Sequence, residues 1–399
     1  MKHIKEIPHA SVSYPQGFLA AGINCGIKMT KKDMAAIVSQ IPARIAGAFT
    51  KNAFAAAPVR WCRQVMKRST ARAIIVNSGN ANACTGDGGF RDARKTAKVM
   101  AEELGIKPEE VLVSSTGVIG KRLPMDTVEM GVRKIVRFLS RKGDIEASQA
   151  ILTTDTFPKT MGVELTFGGK QVRIGAMAKG AGMIEPNMAT MLCYITTDAV
   201  IELSALRHAL KKAVDGSFNC ITVDGDMSTN DSVILMANGM ARNEEIVEGS
   251  SDYEIFVKAL SLMTLKLAKK IALDGEGATK LVEVRVTEAR TDEEAEMGAR
   301  AIANSNLFKV SLYAQDPNWG RLMAALGSAG ISIVPEKVSV KFNGLTFVKQ
   351  GKTSGIQLGE ARKVMKAKQI EIHLSLGQGK GQATIWTCDL THKYVDINM

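Results

Sequence analysis

Rings are scarce in this chain: aromatic residues make up 5%, three of them Trp and five Tyr, among 399 residues. The lysines and arginines behind a formal charge of +12 are scattered, with no ring-interleaved basic tract and no nucleic-acid motif. A nucleic-acid module is thereby disfavoured, and a solvated basic surface that gathers anionic small molecules is expected. Cysteine is also sparse. Cys25, Cys62, Cys84, Cys193, Cys220 and Cys388 form no Cys-x-x-Cys pair, and five histidines supply no His-Glu-x-x-His. Neither a disulfide framework nor a zinc site is indicated, and reduced, mostly buried thiols are expected. No apolar run approaches the ~20 residues of a membrane span, and the start Met-Lys-His-Ile-Lys-Glu lacks the apolar stretch of a signal peptide. A cytoplasmic location without membrane partners is expected. Internal repeats and low-complexity linkers are missing too.

What is present is a 45% hydrophobic, 23% charged chain, long enough to bury a large core in two domains or one interlocked one. Periodicity predicts mixed α and β. Two strands are expected within 34–50, a helix over 58–66 with Pro58 near its first turn, strands over 72–76 and 111–113, and helices over 90–104 and 125–139. Strands over 163–167 and 171–177 follow, then a helix over 203–214 on which His208 faces solvent or packs, and a strand over 233–236. A helix over 253–273 is expected to end at a Gly275 cap. Beyond residue 280 the pattern restarts, with a strand to about 286, a helix near 293–303, a strand over 308–312 and a small-residue helix after 321.

The chain is organised around Lys179-Gly-Ala-Gly-Met-Ile-Glu-Pro-Asn-Met-Ala-Thr-Met-Leu-Cys-Tyr-Ile195. A small-residue loop carrying one cation leads through a Pro-Asn turn into the apolar run 191–195, read as a strand buried on both faces. Thr190 stands where turn becomes strand, a position at which most threonines only pack. Further segments carry chemistry. Asn77-Ser-Gly-Asn-Ala-Asn-Ala-Cys-Thr-Gly-Asp-Gly-Gly89 is glycine-rich but lacks the spacing of a dinucleotide loop. Ser114-Ser-Thr-Gly-Val-Ile-Gly120 reads as a strand-end loop, in which one hydroxyl and one N–H form a hole for an oxyanion, or as a plain strand-to-helix turn. Asp224-Gly-Asp-Met-Ser-Thr-Asn-Asp-Ser232 lacks the spaced ligands of a calcium loop. Glu276, flanked by glycines in Asp274-Gly-Glu-Gly-Ala-Thr-Lys280, is free to project into a cleft. Gly351-Lys352-Thr353 has Thr346 where a nucleotide loop requires glycine, and is rejected.

Apart from the rejected stretch at 351–353, these segments, together with Ala150-Ile-Leu-Thr-Thr-Asp-Thr-Phe-Pro-Lys159, Gln315-Asp-Pro-Asn-Trp-Gly-Arg321 and Tyr394-Val-Asp-Ile-Asn-Met399, resemble, in order and over essentially the whole chain, the ornithine acetyltransferase family of arginine biosynthesis. The resemblance implies an α+β fold: a four-layer α-β-β-α sandwich over 1–280 and a smaller C-terminal α/β domain over 281–399. It implies self-cleavage between Ala189 and Thr190, after which Thr190 carries its own α-amine as the base its hydroxyl needs. Acetyl would pass from N2-acetyl-L-ornithine to Thr190 and then to L-glutamate, with acetyl-CoA a second donor in some members. Thr116 and Gly117 would form the oxyanion hole. Thr153, Lys179, Thr190, Glu276 and Asn398 would contact substrate, Glu276 through an ornithine amine. Lys179 would either stabilise an amine as a neutral base or hold a substrate carboxylate. The Asn77–Gly89 segment would be scaffold near the active site.

Because one amide is exchanged for a similar one, no ATP, metal or organic cofactor is expected. The implied partners are small-molecule substrates and the two fragments of one precursor, arranged α2β2, with no nucleic acid and no membrane. Relatives continue past the equivalent of Asn398 to a terminal Thr or Ser that touches substrate; here that contact is expected to be absent or replaced. Two other readings stay open: a self-processing aminopeptidase of similar fold, against which the threonine at 190 argues because those enzymes use serine, and a basic nucleic-acid binder, which would show salt-dependent retention on DNA.

Overall fold

The computed structural model describes residues 4–185 and 191–399, so Ala189, Thr190 and the bond between them lie outside the described residues. The chain divides into two compact units. The first comprises Met1–Gly180, Pro186–Asn219 and Met227–Ala268; the second comprises Ala181–Glu185, Cys220–Asp226 and Lys269–Met399.

In the first unit the chain runs β1 (Ile4–Ile7), β2 (Phe18–Ile23), β3 (Met34–Phe49), α1 (Ala57–Val65), β4 (Thr70–Asn80), α2 (Gly86–Leu104), β5 (Val111–Val118), α3 (Met125–Ile135), α4 (Asp144–Ala150), β6 (Lys159–Phe167) and β7 (Lys170–Lys179). It continues with β8 (Leu192–Thr197), α5 (Leu203–Asp215), β9 (Ser232–Ala237) and α6 (Ser251–Leu273), whose last residues from Lys269 belong to the second unit. The strands follow the order β1-β6-β7-β8-β9-β3-β4-β5, with β2 also on β3.

β3 makes this one sheet with two faces to cover. The two strands expected within 34–50 are a single 16-residue strand, broken by a register shift between Val38 and Ala43. Pro42 lies in the shift, where its missing N–H removes a ladder bond. Before the shift β3 pairs with β2 and β4; after it, Ala43 and Arg44 still pair with β4, and Arg44–Phe49 pairs with β9. Ile37, Ile74 and Leu112 from β3–β5 then share one core with Met177, Tyr194 and Ile234 from β7–β9, so two sheet layers stack. Trp61 of α1, Met100 of α2 and Val132 of α3 close one side. α5 lies along the second half of β3, and Thr264 of α6 donates to the Ala213 carbonyl at 3.2 Å. The expected α+β sandwich is present. β8 is buried at all six positions, as its apolar run predicts.

The second unit holds β10 (Leu281–Ala289), α7 (Asp292–Ala303), α8 (Asn306–Tyr313), α9 (Trp319–Gly327), β11 (Ser339–Phe342), β12 (Leu345–Lys349), β13 (Lys352–Thr353), α10 (Leu358–Met365), β14 (Gln369–Ser375), β15 (Gly381–Cys388) and α11 (His392–Asn398). Its sheet order is β13-β12-β11-β14-β10-β15, with β10 and β14 parallel. Two expectations are corrected here. Residues 308–312, expected as a strand, lie in α8: Phe308, Lys309, Ser311 and Leu312 are buried while Val310 is exposed, a helical spacing, and Ser305 caps the helix on the Phe308 N–H. Gly275 is not a left-handed cap of α6. The positive φ falls at Gly277 (73°), and a methyl on Gly275 would stand 2.8 Å from Cys388 Sγ, so Gly275 serves close packing.

Candidate active site

Within the first unit, β4 and β5 run parallel, with Ser78 opposite Thr116 and Gly79 opposite Gly117. Ser114–Val118, expected as a loop, is therefore strand; β4 extends to Asn80 and supplies the ladder that keeps it extended. Gly117 has φ 131°, and an added methyl would stand 2.3 Å from the Gly79 carbonyl carbon, so only glycine fits this approach. Thr116 is half-buried, and its hydroxyl makes no hydrogen bond to another described residue.

The ends of these strands are braced by asparagines from two of the motifs. Ser115 Oγ donates to Asn77 Oδ1 (2.6 Å), and Asn77 Nδ2 to the Asn80 carbonyl (2.8 Å). Asn230 Nδ2 donates to the carbonyls of Ala81 (2.6 Å) and Ser115 (2.8 Å). Next to Asn230, Asp231 is buried, and its Oδ2 has no hydrogen-bond partner among the described residues. Burial pushes this carboxyl well above the ordinary range, against Ser228, Lys179 and Thr50.

Lys179, the last residue of β7, meets Thr153 in the segment after α4: Nζ donates to Thr153 Oγ1 at 2.8 Å. Asp155 organises the pair. Its Oδ2 accepts the Thr153 N–H (3.0 Å) and lies 3.8 Å from Lys179 Nζ; its Oδ1 accepts from the Gly180 N–H (2.6 Å) and from the buried Lys159 ammonium (2.8 Å). Burial works against the Asp155 carboxylate, but Lys179 and Lys159 outweigh it and hold the group well below the usual carboxylate range. Asp155 went unrecognised in the sequence. Its bond to the Thr153 N–H runs two residues back, opposite to the forward bond of an Asx turn, so no local rule announces it.

In the second unit, Glu276 and Asn398 come together from distant segments. Asn398 Nδ2 donates to Glu276 Oε2 at 2.6 Å, and the Glu276 N–H donates to the Ala181 carbonyl at 2.9 Å. Gly182 lies against the carboxylate so closely that a methyl there would stand 2.4 Å from Glu276 Cδ. The same short segment is pinned further along. Asp224 accepts the N–H groups of Met183 (2.6 Å) and Ile184 (2.8 Å), and Glu185 accepts from Thr222 and from Asn304 Nδ2, each at 2.6 Å. Among the described residues, no cluster of three His, Cys, Asp or Glu could hold a metal ion, and no helix is long and apolar enough to cross a membrane.

The ArgJ family model matches residues 19–399. The arginine biosynthesis bifunctional protein ArgJ of Symbiobacterium thermophilum is 48% identical over 390 residues, 97% of each chain. That of Bacillus licheniformis is 46% identical over 389 residues, 97% of this chain and 95% of the relative. A solved ornithine acetyltransferase from Mycobacterium tuberculosis, complexed with ornithine, is 40% identical; the match covers 47% of this chain and 100% of that one, with a TM-score of 0.44.

Proposed function

The chain belongs to the ArgJ family, and from that premise we propose that it moves acetyl from N2-acetyl-L-ornithine to L-glutamate through an acetyl ester on Thr190, after cutting its own Ala189-Thr190 bond. It is a transferase of arginine biosynthesis. The observation that carries the mechanism is a pairing. Residues that the resemblance assigns to substrate, far apart in sequence, meet as Thr153 with Lys179 and Glu276 with Asn398.

In this mechanism the α-amine freed at Thr190 takes the proton of its own hydroxyl as the oxygen attacks the acetyl carbonyl. The Thr116 hydroxyl and the Gly117 N–H take the charge that develops on the carbonyl oxygen. The ornithine amine leaves with the proton, and the amine of glutamate attacks the Thr190 ester by the same steps reversed. No ATP, metal or organic cofactor is required. Lys179, steered by Thr153 and Asp155, holds a substrate carboxylate, and Glu276, with one oxygen fixed by Asn398, takes the ornithine side-chain ammonium. Acetyl-CoA serves as a second donor, a reading that the word bifunctional in the relatives' names supports. The fragments assemble as α2β2 in the cytoplasm, without nucleic acid or membrane partners.

The test pairs each donor with and without glutamate. With N2-acetylornithine alone, mass spectrometry should find one acetyl group on Thr190, discharged when glutamate is added. Acetyl on a lysine or cysteine, or steady ornithine release without glutamate, would replace this reading with another acceptor or with hydrolysis.

A further inference from the structure

Lys28 stands in the connection between β2 and β3, a stretch held from inside. The fully buried Asp33 carboxylate accepts the N–H groups of Cys25 (2.6 Å), Gly26 (3.2 Å) and Lys28 (2.8 Å). From this anchor the Lys28 side chain crosses Gly79, where an added methyl would stand 3.2 Å from Lys28 Cγ. Its ammonium then donates to Ser78 Oγ (2.6 Å) and to the carbonyls of Leu152 (2.5 Å) and Lys32 (3.4 Å). Two of these acceptors touch the candidate machinery. Ser78 is the register partner of Thr116, and its hydroxyl passes on to the Ala150 carbonyl at 2.6 Å; Leu152 immediately precedes Thr153.

No sequence motif links these positions, and only the fold gathers them under one cation. Its three N–H bonds all end on uncharged oxygens. A half-buried ammonium so held fixes geometry and contributes a positive field, and neither effect is cancelled by a carboxylate bonded to it.

We propose that Lys28 is a positioning residue for acetyl transfer: its ammonium locks the β4–β5 rung that carries Thr116 to the segment that carries Thr153, and adds positive charge beside Lys179. The assignment rests on the acetyl transfer proposed above and deepens it by naming what holds two of its parts in register. A misplacement of the oxyanion donors costs rate more than affinity, because their contact strengthens mainly in the transition state.

A lock of this kind has a pH signature. Burial pulls the Lys28 ammonium down to about 8; Asp33 and Asp155 pull it back up, while Lys179 and Lys31 push it further down. Above that pH the charge and one N–H donor are lost, so turnover falls on the alkaline side. The α-amine of Thr190, with an ordinary value of about 7.7–8.0, works as a neutral base and gives a rise through the same region. Arginine at 28 stays charged throughout, so it removes the alkaline fall and leaves the rise.

The full-length wild type, Lys28→Met and Lys28→Arg are assayed for transfer from N2-acetylornithine to glutamate from about pH 6 to about pH 10, with thermal unfolding and the extent of processing measured on the same samples. Lys28→Met should lower kcat by about 30- to 100-fold with KM changed less than about threefold. Lys28→Arg should retain measurable turnover and lose the alkaline limb. Wild-type kcat in Lys28→Met, or an alkaline limb unmoved in Lys28→Arg, overturns the proposal. If Lys28→Met does not fold, the Lys28→Arg profile decides alone. A wild type that transfers no acetyl sinks the functional reading and this assignment together, whereas an active wild type with indifferent variants sinks this assignment only.

Discussion

A methyl group is the smallest probe of the Glu276 environment. Gly182 lies within the segment whose Ala181 carbonyl accepts the Glu276 N–H, and a Cβ there would stand 2.4–2.6 Å from the carboxyl carbon and both oxygens. Gly182→Ala must therefore push the carboxylate aside and strain its bond to Asn398. The expected result is a rise in KM for N2-acetylornithine of about tenfold, equivalent to about 1.4 kcal/mol, with circular dichroism unchanged; an unchanged KM would remove Glu276 from ornithine binding. Asp155 gives a stability prediction instead. It pairs with Lys159 in full burial, so Asp155→Asn breaks a buried ion pair and should cost about 3–5 kcal/mol. The sign follows from its lowered folded-state pKa. The contribution is fully present above the unfolded value of about 3.9 and fades as the pH drops below it toward the folded value. Urea unfolding at neutral pH should separate wild type from variant widely, and the gap should narrow in acid; a gap that widens in acid would contradict the ion pairing.

At the scale of elements, the sequence was legible where one periodicity ruled and illegible where two overlapped. The buried run of β8 and the amphipathic α5 gave a single reading, and both stand. Phe308-Lys-Val-Ser-Leu312 alternates apolar and polar side chains like a strand, yet buries Lys309 and Ser311, because Lys309 Nζ finds Thr387 Oγ1 at 2.8 Å across the fold. No local pattern announces a buried lysine with a distant partner. The same limit hid Lys28 and Asp155, while Glu276 and Asn398 were named only through resemblance, each motif being silent about the other. Ser305 tests the helix assignment. Its side chain accepts the Phe308 N–H, so Ser305→Ala should cost about 1 kcal/mol in chemical denaturation. An effect near zero would mean that the cap adds nothing to α8.

For the whole molecule, the decisive question is what a cut before Thr190 would leave. The fragments would hold 189 and 210 residues, and the break would fall between Ala181–Glu185, which belongs to the second unit, and β8 of the first. β8 lies between β7 and β9, pairing Lys179 with Leu192 on one side and Leu192 with Ser232 on the other, while β9 also pairs with β3. The shorter fragment would thus supply β3 and β7, the longer β8 and β9, to one continuous sheet. Separating them would tear two ladders and expose the fully buried faces of β8 and β9, a cost far beyond what one peptide bond secures. The purified protein should therefore run as two bands in denaturing gels and as one species under native conditions, the larger band beginning Thr-Met-Leu-Cys on Edman sequencing. Thr190→Ala, which loses only a hydroxyl and a methyl, should fold and remain a single band without transferase activity. An active wild type that stays one intact chain would overturn the self-processing mechanism, and fragments that part spontaneously in native buffer would contradict the shared sheet.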